Sequence, residues 1–132
     1  MGLDLTIRKQ SNFRTDKKDR TVFTVTVLTN LRNCWYILEK LSDRLENGFD
    51  DCAAYSFNEG TFHAILKELK EELSSTVEKD SEDLTEDLEY EIGKLEEFLK
   101  ENNLVERKPT KEDEEYGTSE NYGEVFEVHA WW

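Results

Sequence analysis

Carboxylates dominate the chemistry this chain can offer. Thirteen stand between Glu68 and Glu97, among only three lysines, Lys70, Lys79 and Lys94. Written as helix at about 1.5 Å per residue, that stretch spans roughly 45 Å, or one carboxylate per roughly 3.5 Å. The phosphates of one DNA strand repeat at about 3.4 Å. Several of these acids are like-charged neighbours four apart, including Glu82 with Glu86, Asp83 with Asp87, and Asp87 with Glu91. Each such pair costs about 0.2–0.5 kcal/mol in an isolated helix. A surface selected for stability alone mixes the signs. Two readings follow: an acidic face offered to a basic groove as a nucleic-acid mimic, or a solvated face that serves solubility. On the first, the contact residues are Glu72, Glu82, Asp83, Glu86, Asp87, Glu89 and Glu91.

Reactive side chains are sparse by comparison. Glu59 and His63 stand four apart on a predicted helix, and Cys34, Cys52 and His129 are the other candidates. No HExxH, EF-hand loop, P-loop or GxSxG occurs. The run Glu112-Asp113-Glu114-Glu115 lacks the alternating ligands and central glycine of a calcium loop. Seventeen residues separate Cys34 from Cys52, which allows one disulfide, but small apolar packing is the simpler expectation. The histidines read as surface or rim residues. The expectation is a non-enzymatic protein with no catalytic residue, metal or cofactor.

Charge narrows the partners. The 132 residues carry a formal net charge of -14, with a pI of about 4.5. Residues 1–66 hold nine basic and nine acidic side chains, so the whole imbalance lies in residues 67–132. Direct binding to nucleic acid or to an anionic membrane surface is disfavoured. The longest uncharged run, Thr21 to Leu31, is too short and too Thr-rich to span a bilayer. No basic, apolar secretory leader is visible at the N-terminus. Cytoplasmic location with reduced thiols is the expectation.

The elements that must position these residues follow from period. Leu3, Leu5 and Ile7 alternate with polar neighbours, the pattern of a half-buried strand. Lys9 to Arg20 reads as a polar hairpin loop. Its basic residues, with Arg8 before them, either contact nucleic acid held by a partner or pair with the chain's own acids. A second strand over 21–28 places Phe23, Val25 and Val27 on one face. A helix over about 30–46 follows, with Leu31, Trp35, Leu38 and Leu45 at helical spacing and Asn47-Gly48 as its stop. Cys52 to Phe57 predicts a short third strand, and Ser56 with Glu59 fits a capping box. A second helix runs to about Ser74 on Phe62, Ile65, Leu66, Leu69 and Leu73. After a polar break over 74–81, Ser81 caps a third helix striped by Leu84, Leu88, Ile92, Leu95 and Leu99 and ended by Asn102-Asn103. A charged connector over 105–121 leads to a last strand, where Phe126, Val128, Ala130 and Trp132 alternate with Val125, Glu127, His129 and Trp131. The whole predicts a single α+β domain over 1–132, an antiparallel sheet of three to four strands packed against about three helices, with an acidic helical region over 58–103.

Several segments together resemble a family of small phage and prophage proteins that begin Met-Gly-Leu-Asp-Met-Tyr-Leu. The opening here is Met1-Gly2-Leu3-Asp4-Leu5-Thr6-Ile7. Asn33-Cys34-Trp35-Tyr36-Ile37 then leads to Asp50-Asp51-Cys52-Ala53-Ala54-Tyr55, similar to the family's Asp-Asp-Cys-x-x-Tyr stretch. The ending Phe126-Glu127-Val128-His129-Ala130-Trp131-Trp132 is similar to its closing strand. This chain departs at Leu5-Thr6, where the family has Met-Tyr, and in its more acidic helix. The resemblance implies a phage origin and a product aimed at host defence or regulation. Combined with the acidic region, the expected function is inhibition of a host nucleic-acid-handling protein, such as a CRISPR effector nuclease, partly by nucleic-acid mimicry. The alternative is a phage accessory domain whose apolar helix stripes drive self-association into a homo-oligomer, or scaffold contacts.

Overall fold

Alternation of small apolar and polar residues starts the sheet. In a computed structural model that describes residues 2–15, 21–78, 82–104, 120 and 123–132, β1 (Asp4–Thr15) pairs antiparallel with β2 (Thr21–Arg32). The chain continues through α1 (Trp35–Ser42), β3 (Ala54–Asn58), α2 (Glu59–Glu78), α3 (Glu82–Glu101) and β4 (Val125–Trp131). The strands form one antiparallel sheet in the order β2-β1-β4-β3. The architecture is the expected α+β fold, with four strands and three helices among the described residues.

One face of the sheet carries the core. Leu5 lies opposite Ala130 and Ile7 opposite Val128, and all four are buried. The alternate pairs, Thr6 with His129 and Arg8 with Glu127, fall on the other face. Phe62 of α2, Phe98 of α3 and Phe126 of β4 pack edge to face, with ring centres 5.4–5.9 Å apart. Each such pair adds about 0.5–1.5 kcal/mol beyond its area burial. This aromatic triangle locks the α2–α3 hairpin onto the sheet. Leu88, Ile92, Leu95 and Leu99 complete the α3 side, as the helical period requires.

Local rules and tertiary context disagree at several points. β1 and β2 run on to Thr15 and from Thr21, through half of the expected loop. Residues 16–20 lie outside the described residues. A register shift between Ile7 and Arg8 sets Val27 opposite Arg8 and leaves it largely exposed; the side chains of Phe23 and Val25 lie outside the described residues. The strand also continues past Asn30, so α1 begins only at Trp35, after a left-handed Asn33 at φ 59°. Asn33 closes this junction by donating its amide to the Leu3 carbonyl (2.7 Å) and accepting the Leu3 amide on its Oδ1 (3.0 Å).

The expected capping box is replaced. Ser56 sits in β3, and the Glu59 amide instead donates to the Glu124 carbonyl at 2.7 Å. Helix α2 does not break at Ser74. The hydroxyls of Ser74 and Thr76 bond back to the carbonyls of Lys70 and Glu72, which satisfies them within the helix. Leu84 is exposed, one turn before the packed part of the α3 stripe. Asn103, at φ 57°, ends α3 as expected, with the Leu104 amide returning to the Leu99 carbonyl at 2.8 Å. Ser81 and residues 105–119 lie outside the described residues.

Two glycines separate backbone need from mere tolerance. Gly48 holds φ +72°, whereas a Cβ on Gly93 inside α3 would meet nothing within 4 Å. Gly93→Ala should therefore raise unfolding free energy by about 0.5–1 kcal/mol, and Gly48→Ala should lower it by about 1 kcal/mol. Urea unfolding of both variants checks this, and the reverse order would contradict the assignment.

Candidate functional site

The acidic helix places its charges on two different sides. Glu91 belongs to the inward side, next in sequence to Ile92 and one turn from Leu88 and Leu95, and is only 3% exposed. Its carboxylate accepts the Ile37 amide at 3.0 Å. Helix α1 lacks a cap of its own, since Cys34 makes no side-chain cap bond and no acid stands in its first turn. A carboxylate from α3 fills that role, which both bonds and helix dipole favour. Burial pushes the Glu91 carboxyl up to about 7, against the lowering effect of the Ile37 and Tyr36 amides, with Asp87 and Glu39 adding to the rise. Glu91 is thus not part of the outward acidic face expected from its charge.

Four of the expected contact residues do face outward. Asp83, Glu86, Asp87 and Glu89 are exposed on the first half of α3, and none forms a salt bridge among the described residues. The Glu82 side chain lies outside the described residues. Glu72 is turned toward α1 and pairs with Lys40. Its neighbour Glu68 pairs with Arg44 at 2.9 Å, and Arg44 also binds Glu120 at 2.7 Å. Part of the acidity of α2 is therefore neutralised by Lys40 of α1 and by Arg44 just beyond it, and the uncompensated charge collects mainly on α3.

Aromatic surface borders this charge. Trp35 and Tyr90 are 47% and 45% exposed, both at the junction where α3 meets the start of α1. The Tyr90 hydroxyl donates to the Arg32 carbonyl at 3.0 Å, and Lys94 lies 5.7 Å above its ring. The Tyr36 phenol is held above its ordinary range, first by burial and then by Asp87, Glu91, Glu39 and Glu72. Glu39 is exposed on α1 and extends the negative field to that helix. Sequence reasoning missed Glu39 and Tyr90, and Trp35 is exposed where a buried anchor is the default expectation. The i,i+4 spacing of Tyr90 and Lys94 was a readable sign of an outward tyrosine.

The reactive candidates fall into separate places. Glu59 and His63 are a buried pair at 3.7 Å rather than surface residues, and Glu59 also accepts the Glu124 amide at 3.3 Å. Cys34 and Cys52 are both free. Burial holds the Cys34 thiol up at about 12, where it carries no thiolate at neutral pH. His129 bonds the Cys52 carbonyl at 2.9 Å and stacks on Trp131. Among the described residues, no group of three or more His, Cys, Asp or Glu is placed to hold a metal ion. Of the basic N-terminal segment, Arg8 pairs with Glu127 and Lys9 with Glu124. No helix among the described residues is long and apolar enough to cross a membrane.

Glu91 gives the site a pH signature. Its folded pKa lies above the unfolded value, so its protonated form favours the folded state. That contribution is complete below about pH 4.3 and is lost as pH rises through about 7. Glu91→Gln keeps a cap acceptor without the charge. Its melting temperature relative to the parent should therefore be higher at pH 8 than at pH 5, and a pH-independent difference would contradict the assignment. Compared with known proteins, the chain matches no family model, no curated relative and no solved structure.

Proposed function

We propose that this chain is a non-catalytic binding protein that inhibits a basic, nucleic-acid-handling partner, in the manner of a phage anti-defence (anti-CRISPR-like) protein. The observation that carries the reading is the exposed group Asp83, Glu86, Asp87 and Glu89, unpaired among the described residues and bordered by Trp35 and Tyr90. Exposed acids continue along α3 to Glu97 and Glu101, so the row spans about 27 Å at about 1.5 Å per residue. That is shorter than the sequence-based span, because α2 and α3 fold back on each other.

A basic cleft would gain from this surface in two ways. The carboxylates would replace phosphates against Lys and Arg, steering encounter and fixing register. The aromatic side chains would supply desolvated anchors, since Trp and Tyr carry much of the energy of protein interfaces. Inhibition then needs occupancy only, with no turnover. The alternative of self-association through apolar helix stripes has less support, since Phe62, Ile65, Leu69, Leu88, Ile92, Leu95 and Leu99 are consumed inside this fold.

Capture from a bacterial lysate on tagged protein, washed at low and high salt, tests the reading. The expected result is a basic nucleic-acid-binding protein that salt releases and duplex DNA competes away. Reversing Glu86, Asp87 and Glu89 to lysine should weaken that complex by about a hundredfold, at roughly 1 kcal/mol per reversed contact. Recovery of the protein alone, salt-indifferent binding, or full binding by the triple variant would contradict it.

A further inference from the structure

A second surface has the opposite character. Between α2 and α3 lies a groove of about 500 Å³, within the size range of small-molecule sites. Leu66, Leu99 and Leu104 line it, the last two almost fully buried. Lys67, Lys70 and Lys100 stand on its exposed rim. Only five lysines occur between Glu59 and Glu101, so three of the five converge here in the most acidic part of the chain. Lys70 is held by Glu96 at 3.1 Å. Neither Lys67 nor Lys100 has a salt-bridge partner among the described residues, and Glu71 is the one rim acid without one.

We propose that this groove binds a small amphipathic anion, an apolar body that ends in one carboxylate. The leucines take the apolar part out of water, and Lys67 and Lys100 meet the carboxylate at the rim. An uncharged apolar ligand would leave both ammonium groups without gain, and a cationic one would be repelled. The groove involves none of the outward acids Asp83, Glu86, Asp87 and Glu89, so this site stands or falls apart from the inhibitory reading.

The full chain, isotopically labelled, is titrated with decanoate below its micelle concentration and followed by amide and methyl NMR. Decanol and decyltrimethylammonium are the comparators. Saturable shifts at Leu66, Leu99 and Leu104 are expected with decanoate, with the comparators at least about tenfold weaker. Lys67→Glu/Lys100→Glu should cut decanoate affinity about tenfold while the methyl spectrum stays that of the parent. Leu66→Trp, which fills the groove, should abolish binding. Absence of saturable shifts, equal binding of decanol or the cation, or an unaffected double variant would overturn the proposal.

Discussion

A buried carboxylate from one helix caps another. Helix α1 has eight residues, far fewer than an isolated helix needs to persist in water. Its apolar side chains Ile37, Leu38 and Leu41 pack into the core, but the amides at its start have no local acceptor. Glu91 supplies one across 54 positions of sequence. Burying a charge is costly unless it is bonded, and here two opposed effects meet. Desolvation favours the protonated form and the amides favour the ionised form, which leaves the carboxyl near neutrality at about 7. The same contact fixes where Trp35 and Glu39 stand relative to Asp87 and Tyr90. The geometry of the outer surface therefore depends on an acid that never reaches it.

Charge is sorted by the fold rather than spread over it. Lys40 of α1 and Arg44 in the turn just after it tie up Glu72, Glu68 and Glu120. Such partly exposed pairs contribute about 0–1 kcal/mol each, so their larger effect is on the field. They cancel negative charge along α2 and leave it uncancelled along the start of α3. Acids in that first turn also favour the helix dipole, which offsets part of their mutual repulsion. The lysines on the far side of α2 meet α3 at the groove, where the sign reverses.

Periodicity made most of the frame legible. The stripe Leu88, Ile92, Leu95, Leu99 and the alternation Phe126, Val128, Ala130 are both buried as their spacing requires. The failures have specific causes. Charge alone assigns Glu91 outward, although its position lies within the apolar arc that Leu88, Ile92, Leu95 and Phe98 define. Ser56 and Glu59 have the spacing of a capping box, but the strand claims Ser56 and the carbonyl of Glu124, just before β4, takes the Glu59 amide. Ser74 to Thr76 read as a break because free hydroxyls disfavour helices, yet two of them bond back within α2. Val27 lost its expected place to one irregularity between Ile7 and Arg8. Of the site, the exposed acids of α3 were visible in composition. The aromatic border and Glu39 were not, because they join it only through the packing of α1 on α3.

The Glu91 cap is tested most directly by following the Tyr36 and Ile37 amides in a ¹⁵N-resolved pH titration. The account predicts that both amide proton shifts move together, with a common midpoint near pH 7. Amides that stay fixed between about pH 5 and 8, or that follow an ordinary carboxylate midpoint near about 4.3, would contradict it.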